Sequence, residues 1–316
     1  MIKPVIDWLV YDIIKMPQGA ILAGVVDFFL YDTVKIFLLL IGIVFIVSLL
    51  RTFFSPEKTR AILGRKKTCA GHVLASLLGM VTPFCSCSAV PLFLGFIEAG
   101  VPLGVTFSFL VASPMINEVA LVMLWGMFGW KVAFLYIGSG LLVAIASGIV
   151  IGHLKVEDLL EKFDHQKAGS VVPGAGMTVK ARIDFARGYT LDILKKIWIY
   201  VVIGIGLGAW IHGYVPADFL VKFAGKDSWL AVPLATLVGV PLYANAAGVI
   251  PLVSALTGKG VALGTALAFM MAVTGLSLPE FLILRRVMKL KLLLIFAAVV
   301  AVGIMITGYL FNFILR

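Results

Sequence analysis

Two cysteines one residue apart stand in the run Thr82-Pro83-Phe84-Cys85-Ser86-Cys87-Ser88. Thiols at that spacing offer a pair of soft ligands to a thiophilic solute or a soft metal ion. Ser86 and Ser88 add hydroxyls on either side of Cys87. Pro83 and Pro91 bound the run. Each removes a backbone donor and crowds the preceding turn, so both are read as helix breaks. A second run, Ser113-Pro114-Met115-Ile116-Asn117-Glu118, sets an amide and a carboxyl just after Pro114, inside an apolar stretch. A charge at bilayer depth costs roughly 2.5–3.5 kcal/mol or more, so Glu118 is a candidate proton carrier. A third run, Thr274-Gly275-Leu276-Ser277-Leu278-Pro279-Glu280, offers the same role to Glu280. A fourth, Pro241-Leu242-Tyr243-Ala244-Asn245, stands opposite the first, ends before Pro251 and has no Cys. The expected substrate contacts are therefore Cys85, Ser86, Cys87, Ser88, Asn117 and Asn245, with Cys85 and Cys87 the only candidate ligands for a soft metal. The expected helix breaks are Pro83, Pro91, Pro114, Pro241, Pro251 and Pro279.

Each run also has a plainer reading. Cys and Ser are small residues that ease helix contact. Glu118 could be a hydrogen-bonded carboxyl that pins two helices. Glu280 stands five residues before Arg285 and could pair with it or with Arg286. His72, His153, His165 and His212 are scattered, without paired-His spacing, and read as interfacial or structural.

The elements that carry these runs are membrane spans. The chain is 61% hydrophobic and 13% charged, where a soluble domain carries about 25% charged residues. Apolar runs long enough to cross a bilayer, about 20 residues, recur along it. Of 26 Lys and Arg, six fall in 51–67, eight in 155–196 and four in 285–291. Short basic loops beside apolar spans follow the positive-inside rule and need no nucleic-acid partner. Three Cys are too few for a disulfide scaffold. The first residues lack the pattern of a cleaved signal peptide. No Walker A sequence occurs, so ATP hydrolysis by this chain is not expected, nor is any cofactor.

The chain aligns with itself at a shift of 160. Asp32, Lys35, Pro56, Gly79, Pro91, Gly100 and Gly104 match Asp192, Lys195, Pro216, Gly239, Pro251, Gly260 and Gly264. A small indel is expected to bring Pro83 opposite Pro241 and Glu118 opposite Glu280. Residues 1–31 read as an interfacial N-terminal segment, 32–153 as one membrane repeat, 154–190 as a cytoplasmic linker and 191–316 as the second repeat. If every apolar segment crossed, the basic loops at 51–67 and 153–193 would lie on opposite sides. If 69–99 enters and returns to the same side, all three basic loops share one side. The expected fold is an all-α polytopic membrane protein. Its two homologous repeats, inverted by their odd number of crossings, each hold three transmembrane helices and a Pro-broken re-entrant hairpin, eight apolar segments in all.

The stretch TPFCSCSAVPLFLGFIEAGVPLG, followed by SFLVASPMINEVAL, resembles the predicted-permease family that includes the ArsP organoarsenical efflux proteins. The likeness extends to PLYANAAGVIPL and TGLSLPE. It implies export of trivalent organoarsenicals such as methylarsenite across the cytoplasmic membrane, with Cys85 and Cys87 as the matching thiols. The leading expectation is a non-enzymatic secondary efflux permease coupled to protons, whose repeats rock to alternate access. Its partners are a small-molecule substrate and the lipid bilayer, with a homo-oligomer left open. A permease for a metal ion, a sulfur or selenium species or a small anion is the first alternative. A membrane thiol–disulfide oxidoreductase using Cys85 and Cys87 is the alternative of another class.

Overall fold

The computed structural model describes residues 2–17, 19–51, 68–82, 86–154, 156–160, 178–214, 229–242, 246–285 and 287–315. Thirteen α-helices account for nearly all of them: α1 (Ile2–Asp7), α2 (Ile21–Arg51), α3 (Thr68–Val81), α4 (Ser86–Glu98), α5 (Leu103–Met115), α6 (Glu118–Phe128), α7 (Trp130–His153), α8 (Val179–Tyr214), α9 (Ala231–Gly239), α10 (Ala246–Gly258), α11 (Leu263–Gly275), α12 (Leu278–Leu284) and α13 (Leu290–Ile314). Among the described residues the only β pairing is one isolated antiparallel bridge, Leu160 with Met288. Trp130–His153, Leu263–Leu284 and Leu290–Ile314 are long and apolar enough to cross a bilayer. Helices α5 and α6, bent by 51° at their junction, make a fourth candidate span. The chain is thus an all-helical, multi-span membrane protein.

Helices α5, α7, α11 and α13 form the core. Close backbone contact sets their pairing. A Cβ at Gly104 would meet the Gly148 carbonyl oxygen at 2.5 Å, and one at Gly140 would meet Ile116 Cγ1 at 2.8 Å. The start of α5 therefore lies beside the end of α7, and the two run antiparallel. Helix α3 runs alongside α5. His72 lies against Gly104 and Gly148, while Gly79 faces Ala112 and the Phe109 carbonyl. The turn from α4 to α5 spans only residues 99–102 and is closed by Val101 N–H donating to the Phe96 carbonyl at 3.0 Å. Gly100 supplies the left-handed residue there, φ 76°. Four residues reach at most about 14 Å, so α4 ends at the face where α3 began. The α3–α4 pair is a hairpin that enters and leaves at one end of the bundle.

The second half shows the same contacts at the other end. Gly264 packs on the Gly308 carbonyl, and a Cβ at Gly239 would lie 2.8 Å from Ala272 Cβ. Gly260, φ 96°, turns α10 into α11. Tyr309 donates to the Trp229 carbonyl at 2.7 Å, which ties the base of the α9–α10 hairpin to the far part of α13. Helices α4, α5, α6 and α7 start at 86, 103, 118 and 130; α10, α11, α12 and α13 start at 246, 263, 278 and 290.

The two long core helices cross at matched positions. A Cβ at Gly303 would touch Val143 Cγ1 at 2.8 Å. Just beyond α7, the Leu159 carbonyl accepts Lys289 N–H at 2.9 Å, one residue before α13. The end of α7 therefore lies at the start of α13, and these helices are also antiparallel. The halves interlock further: α4 packs on α12, α6 on α10, and α2 on α8.

The helices run across two expected boundaries and two expected breaks. Helix α2 is continuous from Ile21 to Arg51, across the expected boundary at 31. Asp27 is tolerated inside it because Lys3, on α1, pairs with its buried carboxylate. Helix α8 begins at Val179, so the last part of 154–190 is helical. Pro91 and Pro251 do not break their helices, because α4 and α10 run through them. Each proline instead lacks the N–H that would bond the carbonyl four residues earlier, at Cys87 and Ala247. The loop 51–67 lies outside the described residues beyond Arg51.

Candidate functional site

The breaks gather at mid-depth in the bundle. Helix α5 ends at Met115, one residue after Pro114, and Ile116 is extended (φ −113°, ψ 98°). Asn117 then starts α6: its side-chain oxygen accepts Ala120 N–H at 3.4 Å and its carbonyl accepts Leu121 N–H at 3.0 Å. In the second half α11 ends at Gly275, Leu276 leaves helical geometry, and extended Ser277 leads into α12. Pro279 lies in the first turn of α12, where a proline sacrifices no helical bond. It opens the helix rather than breaking one.

The two breaks face each other. Met115 Sδ lies 3.7 Å from where a Cβ on Gly275 would sit. These are positions 160 apart, as are Val143 and Gly303. Tyr136, fully buried, donates its hydroxyl to the Met115 carbonyl and holds the end of α5. The second break is tied to a hairpin end, because Leu278 N–H donates to the Val240 carbonyl at 3.0 Å, just past α9. Pro241 occupies the turn that follows.

The expected site residues divide. Ser86, Cys87 and Ser88 are the first three residues of α4, a 13-residue helix. A helix N-terminus favours negative charge. Glu280 is fully buried in the first turn of α12. Glu118 opens α6 and is exposed, and Asn117 is half-buried. Because α4 packs on α12, the structure brings the helix of Cys87 to the helix of Glu280, across the two halves. Glu118 lies on α6, which packs on α10. Pro83, Cys85 and Asn245 lie outside the described residues. Among the described residues no three His, Cys, Asp or Glu are grouped to hold a metal ion.

The helix starts at 118 and 278 leave no room for the expected indel. Glu118 stands opposite Leu278, Glu280 opposite Ala120, and Asn117 opposite Ser277. Ser277 was not singled out by its sequence. It is buried, and its hydroxyl has no hydrogen-bond partner among the described residues. The signal was available in its alignment with Asn117 at the constant shift. His72, read as structural or interfacial, is buried and shares a 2.8 Å hydrogen bond with Ser108.

Comparison with known proteins gives the family. Residues 21–313 match a family model described as a predicted permease. UPF0718 protein MJ0584 of Methanocaldococcus jannaschii is 22% identical over 307 residues, covering 78% of this chain and 82% of its own. UPF0718 protein YraQ of Escherichia coli is 24% identical over 245 residues, covering 75% and 66%. A Streptococcus mutans protein, named as a candidate two-component membrane permease complex subunit, is 26% identical over 183 residues, covering 54% and 56%. No solved structure matches the chain. With the match running from α2 to within α13, the chain belongs to the ArsP predicted-permease family.

Proposed function

We propose that the protein is a secondary permease of the cytoplasmic membrane that exports a small thiophilic solute, with trivalent organoarsenicals as the leading cargo. The observation that carries this reading is the pair of hairpins. One enters the bundle from the end where α7 finishes, the other from the end where α13 finishes. Between them, two broken helices meet at Met115 and Gly275. That is the pattern of inverted repeats with discontinuous helices around a mid-membrane site. Helix starts at a constant shift and the antiparallel contact of α7 with α13 support the inversion.

The orientation follows from charge. The first hairpin begins and ends, α7 finishes and α13 begins at one end, and the basic stretches 51–67, 155–196 and 285–291 adjoin that end. It is therefore the cytoplasmic face.

In this reading Cys85 and Cys87 hold the cargo through sulfur, at the start of α4 (trivalent arsenic with one methyl group keeps two exchangeable positions). Coordination must exchange fast for release. Glu280, buried beside the helix of Cys87, carries the coupling proton, and the exposed Glu118 serves as an entry or relay group. Uptake of methylarsenite into everted membrane vesicles tests this. Wild-type accumulation, lost in Cys85→Ser and in Cys87→Ser at matched expression, is the expected result. Accumulation unchanged in both variants would reduce the thiols to packing, and none in wild type would remove this cargo. Native mass measurement would show whether a second copy or a second subunit completes the permease, as the name of the Streptococcus mutans relative states for that protein.

A further inference from the structure

The residues that follow α7 are fastened across the turn between α12 and α13. Glu157–Leu159 form one 3₁₀ turn, and Leu160 pairs with Met288 in the isolated bridge. Lys289 closes the contact twice: its backbone N–H donates to the Leu159 carbonyl at 2.9 Å, and its Nζ to the Asp158 carbonyl at 3.1 Å. Val156, Leu159 and Leu160 pack on the core, while Val287 and Met288 are buried. The partners are mostly backbone groups, so the joint depends on chain path more than on side-chain identity. It joins the first half to the second at the end where α7 finishes. Midway along the same two helices, Val143 fills the space left by Gly303.

We infer that this segment is a staple. It holds α7, the end of α12 and the start of α13 as one rigid block throughout transport. Rocking of one half against the other would have to tear the bridge and separate α7 from α13. Access to the mid-depth site then alternates by rearrangement within each half rather than by one half moving against the other. The inference rests on the permease reading for what moves, but the staple itself can be tested without any cargo.

Bridge partners have Cα atoms about 4.5–5.5 Å apart, within reach of a disulfide. The variant Leu160→Cys with Met288→Cys, carrying a protease site inserted at 165–175, can be oxidised and cut. Fragments that stay joined until reduced report the cross-link. Leu160→Cys alone, oxidised in parallel, reports on the native thiols. Methylarsenite uptake by the cross-linked protein should stay within about two-fold of the reduced protein. A loss of about ten-fold or more, restored by reductant, would overturn the staple. Hydrogen exchange on the wild-type protein supplies the cargo-free arm. Peptides covering 287–292 should exchange as slowly as those from the middle of α13, and complete exchange within seconds would overturn the inference. Wild-type vesicles that accumulate nothing would count against the cargo alone, and exchange would still decide the staple.

Discussion

The two hairpins have one backbone plan and different contents. Helices α4 and α10 share their length, a proline at the sixth position and a left-handed glycine just beyond the end. Yet α4 opens with Ser86-Cys87-Ser88 and α10 with Ala246-Ala247-Gly248. The carboxylates differ as well: Glu118 is exposed on α6, Glu280 fully buried on α12. Close contacts between helix backbones fix the scaffold in both halves and leave little freedom. The residues at the helix starts differ between the halves. Function should therefore be lopsided, while the damage done by scaffold changes should be even.

The largest effects test the evenness. Gly104→Val and Gly264→Val each drive a side chain into the opposing glycine backbone of α7 or α13. Both should abolish monodisperse protein in detergent, read by size-exclusion chromatography after matched expression. A strong loss in one half alone would break the symmetry of the scaffold. The next effect tests the lopsidedness. Cys87→Ser should cut methylarsenite uptake by about ten-fold or more, whereas Ala247→Ser at the matched position should change it less than about two-fold. Equal losses would mean that both hairpins bind cargo. Third, Glu280→Gln should remove the dependence of uptake on an imposed proton gradient. Glu118→Gln should keep that dependence and lower the rate by a few-fold at most, about 1 kcal/mol of barrier. The reverse ranking would move the coupling group to α6. The smallest effect lies toward the two ends of the bundle. Ser108→Ala removes the partner of His72, and Asn312→Ala removes two bonds to Thr265. Ser108→Ala should lower the midpoint of thermal unfolding by a few degrees and Asn312→Ala by about twice as much, in line with about 1 kcal/mol per hydrogen bond.

Much of this scaffold could be read in the sequence, because membrane spans leave strong local marks. Apolar length, basic loops and matched glycines all survive without tertiary information. Gly79, Gly104 and their matches at 239 and 264 are needed where backbones nearly touch, so their types recur. Features that depend on distant partners could not be read. The setting of Asp27 is one of these, since its counter-ion stands 24 residues earlier. Pro91 and Pro251 looked like breaks, because sequence alone does not show that packing sustains a helix past a missing bond. The indel placed between the two Glu motifs came from matching residue types. Helix starts show that the shared feature is the break itself, at Asn117 and Ser277, with each carboxylate placed separately after it. The seam between 156–160 and 287–289 left no sequence mark, since its bonds are largely backbone.

The pairing of Lys3 with Asp27 bears on how the protein is made. A carboxylate inside the first long helix would resist entry into lipid on its own. Its ammonium partner lies toward the N-terminus, on α1, beside Asp7 at 3.0 Å and over the ring of Tyr31 at 5.5 Å. The ribosome therefore delivers the cation first. By the time α2 emerges, the neutralising group has already been made, and helix and counter-ion can insert together as one unit.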